Sequence, residues 1–212
     1  MGRQEQTNHL FSNRDLRILL VPLIVEQILN SLMGTADSIM VSNVGSAAIS
    51  AVSLVDSINI LVIQAFYALA AGGTIVCSQY IGQKDKKNAE ESARQLSFVV
   101  ACISSAVMAV CLLTRGPLLR LIFGSVEADV MEAAQIYFFY TALSFPFIAL
   151  YDAGSSIYRA QGNTRLPMTI AVVSNGLNIA GNAVLIWGFH LGVAGAAIAT
   201  LGSRVISAVV VF

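Results

Sequence analysis

Six stretches of apolar residues, separated by short polar breaks, set the pattern of this chain. They run over residues 18–41, 47–81, 96–113, 133–157, 166–187 and 192–212. Each except the third is about 20 residues or longer, the length at which a helix rising 1.5 Å per residue crosses a bilayer. The pattern therefore predicts six transmembrane helices in an all-α membrane protein. Pro22 falls near the start of the first predicted span, where a proline is tolerated, and Pro146 predicts a kink in the fourth. The second stretch is too long for one simple crossing, so it is expected to project beyond the bilayer or to bend at Gly72-Gly73.

The polar breaks read as loops and surface segments. GQKDKKNAEESAR, residues 82–94, is the clearest extramembrane loop. RGPLLRLIFGSVEADV, residues 115–130, mixes apolar and charged positions and predicts a short amphipathic helix lying at the interface. RAQGNTRLP, residues 159–167, makes a tight basic connection. Nine Lys and Arg residues fall on one side if six spans alternate, two (Arg115 and Arg120) fall on the other, and Arg204 lies within a span. That bias predicts a cytoplasmic N-terminus.

Polar residues inside apolar spans carry the candidate chemistry. Glu26, Asn30, Met33 and Asp37 are spaced by four, three and four residues, so they share one face of the first helix. A carboxylate within a span is costly and rarely faces lipid. Asp37 therefore reads as a proton or cation site in a polar pathway, or else as a group bonded to a neighbouring helix. Glu26 lies nearer the charged N-terminal segment, so an interfacial place is open to it as well. The second span carries Asp56 and Asn59, an i, i+3 pair, and Gln64; the fourth carries Asp152. Asn175, Asn178 and Asn182 place three amides on one face of the fifth span, either as a ligand-facing seam or as inter-helix glue. Thr200 and Arg204 stand one turn apart on the sixth.

Composition agrees with this pattern and narrows it. Of 212 residues 56% are hydrophobic and 11% charged, against about a quarter charged in a soluble domain. Net charge is zero without a basic tract, so nothing points to nucleic acid. Cys77, Cys102 and Cys111 are scattered in apolar surroundings and suggest neither a disulfide framework nor a zinc site. His9 and His190 are the only histidines, and no HExxH, GxSxG or GxxxxGK sequence occurs, so no catalytic set, resident cofactor or metal is expected.

GTADSIMVSNVG, following a proline-led first span, resembles the first-helix signature of the multidrug and toxic compound extrusion (MATE) transporters. GGTIVCSQYIGQKD resembles the end of their second helix and the loop after it. YRAQGNTRLPM, NIAGNAVLIWG and GVAGAAIAT resemble their fourth-to-sixth-helix region, in the same order. The resemblance covers nearly the whole chain from Arg14. It implies a twelve-helix transporter of two six-helix lobes, with residues 1–15 a cytoplasmic lead and residues 16–212 the N-terminal lobe. The ending within AVVVF is accordingly read as a truncation in helix six, with a C-terminal lobe of the same protein as the missing partner. In that family a first-helix aspartate is a protonation or cation site, which falls on Asp37. Partner positions fall on Asn178, Asn182 and Thr200, with Asn175 and Asn30 as further polar neighbours and Glu26, Asp56, Gln64 and Asp152 as secondary candidates. Some members carry aspartate where this chain has Asn182, which leaves H⁺ and Na⁺ both open as coupling ion.

The function these features imply is a secondary active antiporter in the plasma membrane, exporting organic cations or drugs in exchange for H⁺ or Na⁺. A buried carboxylate that holds either the ion or a cationic substrate gives exchange a simple physical basis. Two alternatives remain: a lipid-linked saccharide flippase of the same fold group, and a membrane-embedded enzyme or assembly partner without transport of its own. A flippase needs a strongly cationic cavity for pyrophosphate, whereas the charge within the spans is mainly acidic. An enzyme needs a clustered nucleophile, base or metal set, and none is apparent.

Overall fold

A computed structural model describes residues 13–124 and 126–212, and these are helical almost throughout. The expected cytoplasmic lead lies, up to residue 12, outside the described residues. The helices are α1 (Asn13–Val41), α2 (Ser46–Gly82), α3 (Lys86–Phe123), α4 (Ala128–Leu143), α5 (Phe145–Ala160), α6 (Arg165–Asn182) and α7 (Gly192–Val211). A π-helical turn, Ala183–Gly188, extends α6. Helices α4 and α5 have 16 residues each, about 24 Å, and are too short to cross singly. They meet at Ser144 with a bend of 42° and together make one broken span, so the described residues hold six candidate crossings. Pro146 explains the bend: it has no N–H to continue the ladder and its ring crowds the preceding turn.

Three expectations about the spans need correction. Residues 86–94 of the predicted loop are helical and only 83–85 connect α2 to α3, because Asp85 caps the new helix by accepting from the Asn88 N–H at 3.2 Å. Polarity there reports water around a helix end, since α2 and α3 are 37 and 38 residues long and outreach a hydrocarbon core about 30 Å thick. Of the two outcomes open to the second stretch, projection beyond the bilayer is the one that fits, as α2 runs as one continuous element of 37 residues through Gly72-Gly73. Residues 115–123 form no separate interfacial helix. They continue α3 through Pro117 with Leu119 fully buried, and the chain turns at Gly124, whose φ of 62° suits glycine. Lastly, α1 begins well before Pro22, so this proline is interior. The Ile18 carbonyl that its missing N–H leaves free accepts instead from the Thr164 hydroxyl at 3.4 Å.

Packing is that of a membrane bundle. Leu61, Phe98, Leu113, Leu121 and Val209 are at least 70% exposed and face where lipid would lie. The interior holds small and polar groups: Ala51, Ala70, Ala142, Ala149, Ala153, Ala196 and Ala197 are all buried, and so are Glu26, Asp37, Asn178, Asn182 and Thr200. Small residues let the backbones approach where no hydrophobic effect drives helices together. Gly154 on α5 faces Val211, and a Cβ there would lie 2.8 Å from the valine methyls, so glycine sets the α5–α7 approach. Phe66 and Phe145 meet edge to face at 6.0 Å and close the centre between α2 and α5.

Candidate functional site

Helix α1 packs along α6 and stands apart from α2 and α5. Between them lies a cavity of about 520 Å³. Its walls carry Glu26, Asp37, Asp56, Asp152, Tyr137 and Arg204, together with the smaller polar groups Asn30 and Gln64. Because Glu26 and Asp37 are eleven residues apart, three turns of helix, α1 offers both from one face. Asn30 and Gln64 border the cavity from its open side and are exposed in this chain.

The tightest cluster surrounds Asp37, which is 2% exposed. Asn182 Nδ2 donates to Oδ1 at 2.6 Å, and the Thr200 hydroxyl donates to Oδ2 at 2.8 Å. Asn178 Nδ2 donates in turn to Thr200 Oγ1 at 3.1 Å. Three helices, α1, α6 and α7, thus converge on one carboxylate. Helices α6 and α7 come close because Gly195 lies against the backbone of Leu185, where an added Cβ would meet the carbonyl carbon at 3.0 Å. Both carboxylate oxygens are satisfied, whereas Asn182 Oδ1 is buried without a partner. Asn175 takes no part: its amide donates to its own helix at Ala171 O, 2.9 Å away.

A second cluster is built on Glu26. Glu26 is 1% exposed and bound by Arg159, whose Nη1 lies 2.9 and 3.0 Å from its two oxygens. The Tyr151 hydroxyl is 3.1 Å from Oε1 and also 3.2 Å from the Pro167 carbonyl. Arg159 Nη2 donates to Ser156 Oγ, and the guanidinium lies 5.9 Å from the Tyr67 ring. Asp56 forms a third group, accepting at 3.3 Å from both Tyr137 and Asn59. Arg204 donates from Nη1 to Ser144 Oγ at 2.7 Å. Among the described residues no carboxylate lies within 4 Å of its guanidinium, although its charge acts on Asp37, Asp56 and Asp152.

The structure thus brings Asp37, Asn178, Asn182 and Thr200 into one network and lines a single cavity with Glu26, Asn30, Asp56, Gln64 and Asp152. The sequence reading missed the aromatic and basic partners. Arg159 read as part of a connecting segment, yet α5 continues to Ala160 and turns it inward. Tyr137 and Tyr151 fall within the fourth predicted span and were not singled out. The one available signal was that each stands in a helix whose carboxylate neighbours need donors.

The family model described as MatE matches residues 22–184. The chain is 35% identical over 206 residues to the transporter YisQ of Bacillus subtilis, covering 95% of this chain and 44% of that one. It is 28% identical over 202 residues to the probable multidrug resistance protein NorM of Thermotoga maritima, covering 92% and 42%. Among solved structures it resembles a MOP-superfamily transporter of Pyrococcus furiosus with a TM-score of 0.85 at 26% identity, covering 93% of this chain and 43% of that one. The chain therefore spans somewhat less than half the length of these relatives.

Proposed function

Because the chain belongs to the MatE family of membrane transporters, we propose that it forms one lobe of a secondary antiporter that exports organic cations or drugs in exchange for H⁺ or Na⁺. The observation that carries this reading is the Asp37 network, a buried carboxylate held by donors from two other helices beside a cavity of ligand size. A carboxylate inside an apolar span is costly and rarely faces lipid, so a buried Asp37 held by donors from other helices is a functional-site candidate. With Asp37 charged, Asn182 and Thr200 donate to it and tie α1 to α6 and α7. A proton on Asp37 turns one oxygen into a donor, and that donor needs an acceptor. Asn182 Oδ1 is unpartnered beside it, so rotation of this amide would exchange one bond for another and let α1 repack. A sodium ion would call on the same oxygen atoms. In either case occupation of Asp37 alters how α1 is held along the cavity wall, which links ion to cavity shape.

A lipid-linked saccharide flippase fits less well. Four carboxylates and one arginine, Arg204, line the cavity, and the nearby Arg159 is already committed to Glu26. The basic bias of the connections supports a plasma-membrane orientation with the N-terminus in the cytoplasm. The remaining half of the relatives' length would supply the second lobe and the other cavity wall. The experiment is Asp37→Asn in the full-length transporter, which keeps size and removes the titrating charge. Ion-coupled efflux of a cationic dye from vesicles should be abolished while membrane insertion persists. Efflux at the wild-type rate with the same ion dependence would remove Asp37 from the role.

A further inference from the structure

The cavity carboxylates differ in how they are satisfied. Glu26 has Arg159 and Tyr151, Asp37 has Asn182 and Thr200, and Asp56 has Tyr137 and Asn59. Asp152 is the exception. It is 7% exposed, it borders the same cavity, and its Oδ2 is buried with no hydrogen-bond partner. The charges of Arg159 and Arg204 act on it, yet among the described residues neither comes within 4 Å. Both are engaged elsewhere, Arg159 with Glu26 and Arg204 with Ser144. The adjacent Tyr151 directs its hydroxyl to Glu26 and Pro167. A buried carboxyl oxygen left without a partner is among the costlier features a fold can hold.

A ligand can supply the missing donor. We propose that Asp152 is the acceptor for an N–H of the ligand's protonated amine, so that the cavity selects ammonium groups bearing at least one N–H over quaternary ammonium groups on the same skeleton. This rests on reading the cavity as an organic-cation site. It divides the work between two carboxylates. Asp37 is closed off at 2% exposure with both oxygens bonded, which suits a bare ion and leaves no face for an amine. Asp152 has an oxygen with nothing bound to it. A quaternary nitrogen brings charge but presents only methyl groups, and so leaves that oxygen unsatisfied. An N–H cation meets it with a charge-assisted hydrogen bond, about twice as strong as a neutral one. Arg204 Nε, also buried and unpartnered, offers a donor on the neighbouring α7 to an acceptor elsewhere on the same ligand.

The test uses two dyes on the full-length transporter in nanodiscs: a dansyl sulfonamide ending in a dimethylaminopropyl group, protonated at neutral pH, and its trimethylammonium counterpart. Equilibrium binding is read from dansyl fluorescence. The protonated dye should bind about tenfold or more tightly, as expected for one hydrogen bond to a charged group. The extra methyl by itself would favour the quaternary dye, so the comparison is stringent. Asp152→Asn should weaken the protonated dye about tenfold and collapse the preference, while Asp152→Glu should retain a preference. Equal affinities in the unmutated protein, a preference that survives Asp152→Asn, or no binding of either dye would overturn the assignment. The first of these stands even if the Asn variant does not fold. Asp152-dependent preference without gradient-driven movement of either dye would uphold the inference and remove the exchanger reading. Gradient-driven movement with no N–H preference would do the reverse.

Discussion

Replacing Glu26 by glutamine isolates the largest electrostatic contact in the bundle. The pair is buried on both sides, with side-chain exposures of 2% for Glu26 and 14% for Arg159, and Nη1 approaches both oxygens at 3.0 Å or less. Glutamine keeps the shape and one acceptor but leaves the guanidinium without a counter-charge and Tyr151 with a weaker partner. Breaking a buried pair from one side typically costs about 3–5 kcal/mol, and the slight exposure of Arg159 places this one near about 3 kcal/mol. For a chain of this size that corresponds to a fall in Tm of about 6–12 °C. Thermal unfolding of the detergent-solubilised protein, followed by loss of helical circular dichroism, measures it. Adding Arg159→Met removes the stranded charge and should bring stability back to within about 1 kcal/mol of the parent. A Glu26→Gln protein melting within about 2 °C of the parent, or a double variant less stable than the single one, would refute the reasoning.

Asn182→Ala should slow ion-coupled efflux without abolishing it, because it removes one of two donors to Asp37 and leaves the titrating group; complete loss in a correctly inserted protein would give the amide a larger role. Gly195→Val should cost about 1–3 kcal/mol by forcing α7 off Leu185 and should lower ion affinity by drawing Thr200 away from Asp37, both checked by melting with and without the ion. Lys86→Cys, in a background with Cys77, Cys102 and Cys111 replaced by alanine, should resist an impermeant maleimide on intact cells and react in inside-out vesicles. Ready labelling from outside would reverse the orientation.

What could be read from the sequence was set by contrast. Glu26, Asp37, Asp56 and Asp152 stand out because an apolar span makes each carboxylate conspicuous, and Pro146 marks its bend because a missing N–H acts locally. The six crossings followed from length and hydropathy alone. The segment 86–94 was misassigned because polarity records exposure to water and not backbone conformation; a helix that outruns the bilayer looks like a loop. Residues 115–123 misled for the same reason, since their mixture of apolar and charged positions suggested a separate interfacial helix where α3 continues. The pairing of Arg159 with Glu26 spans 133 positions and of Thr200 with Asp37 spans 163, and no spacing rule reaches so far. Resemblance supplied the second pairing but not the first. The π-helical turn after Asn182 depends on how α6 meets Gly195, which is a property of packing between helices.

The bend at Ser144 does more than shorten two helices. The hydroxyl of this residue donates to the Thr141 carbonyl at 2.6 Å, inside the bent segment, while it accepts from Arg204 at 2.7 Å. The guanidinium is therefore indexed to a hinge in the backbone, and the electric potential inside the cavity becomes a function of an angle. Between opposite charges about 6 Å apart at an effective dielectric of about 20, a shift of about 1 Å changes their attraction by about 0.4 kcal/mol. Straightening α4 against α5 would carry the positive charge with it and retune every carboxylate in reach, with no residue gaining or losing a proton.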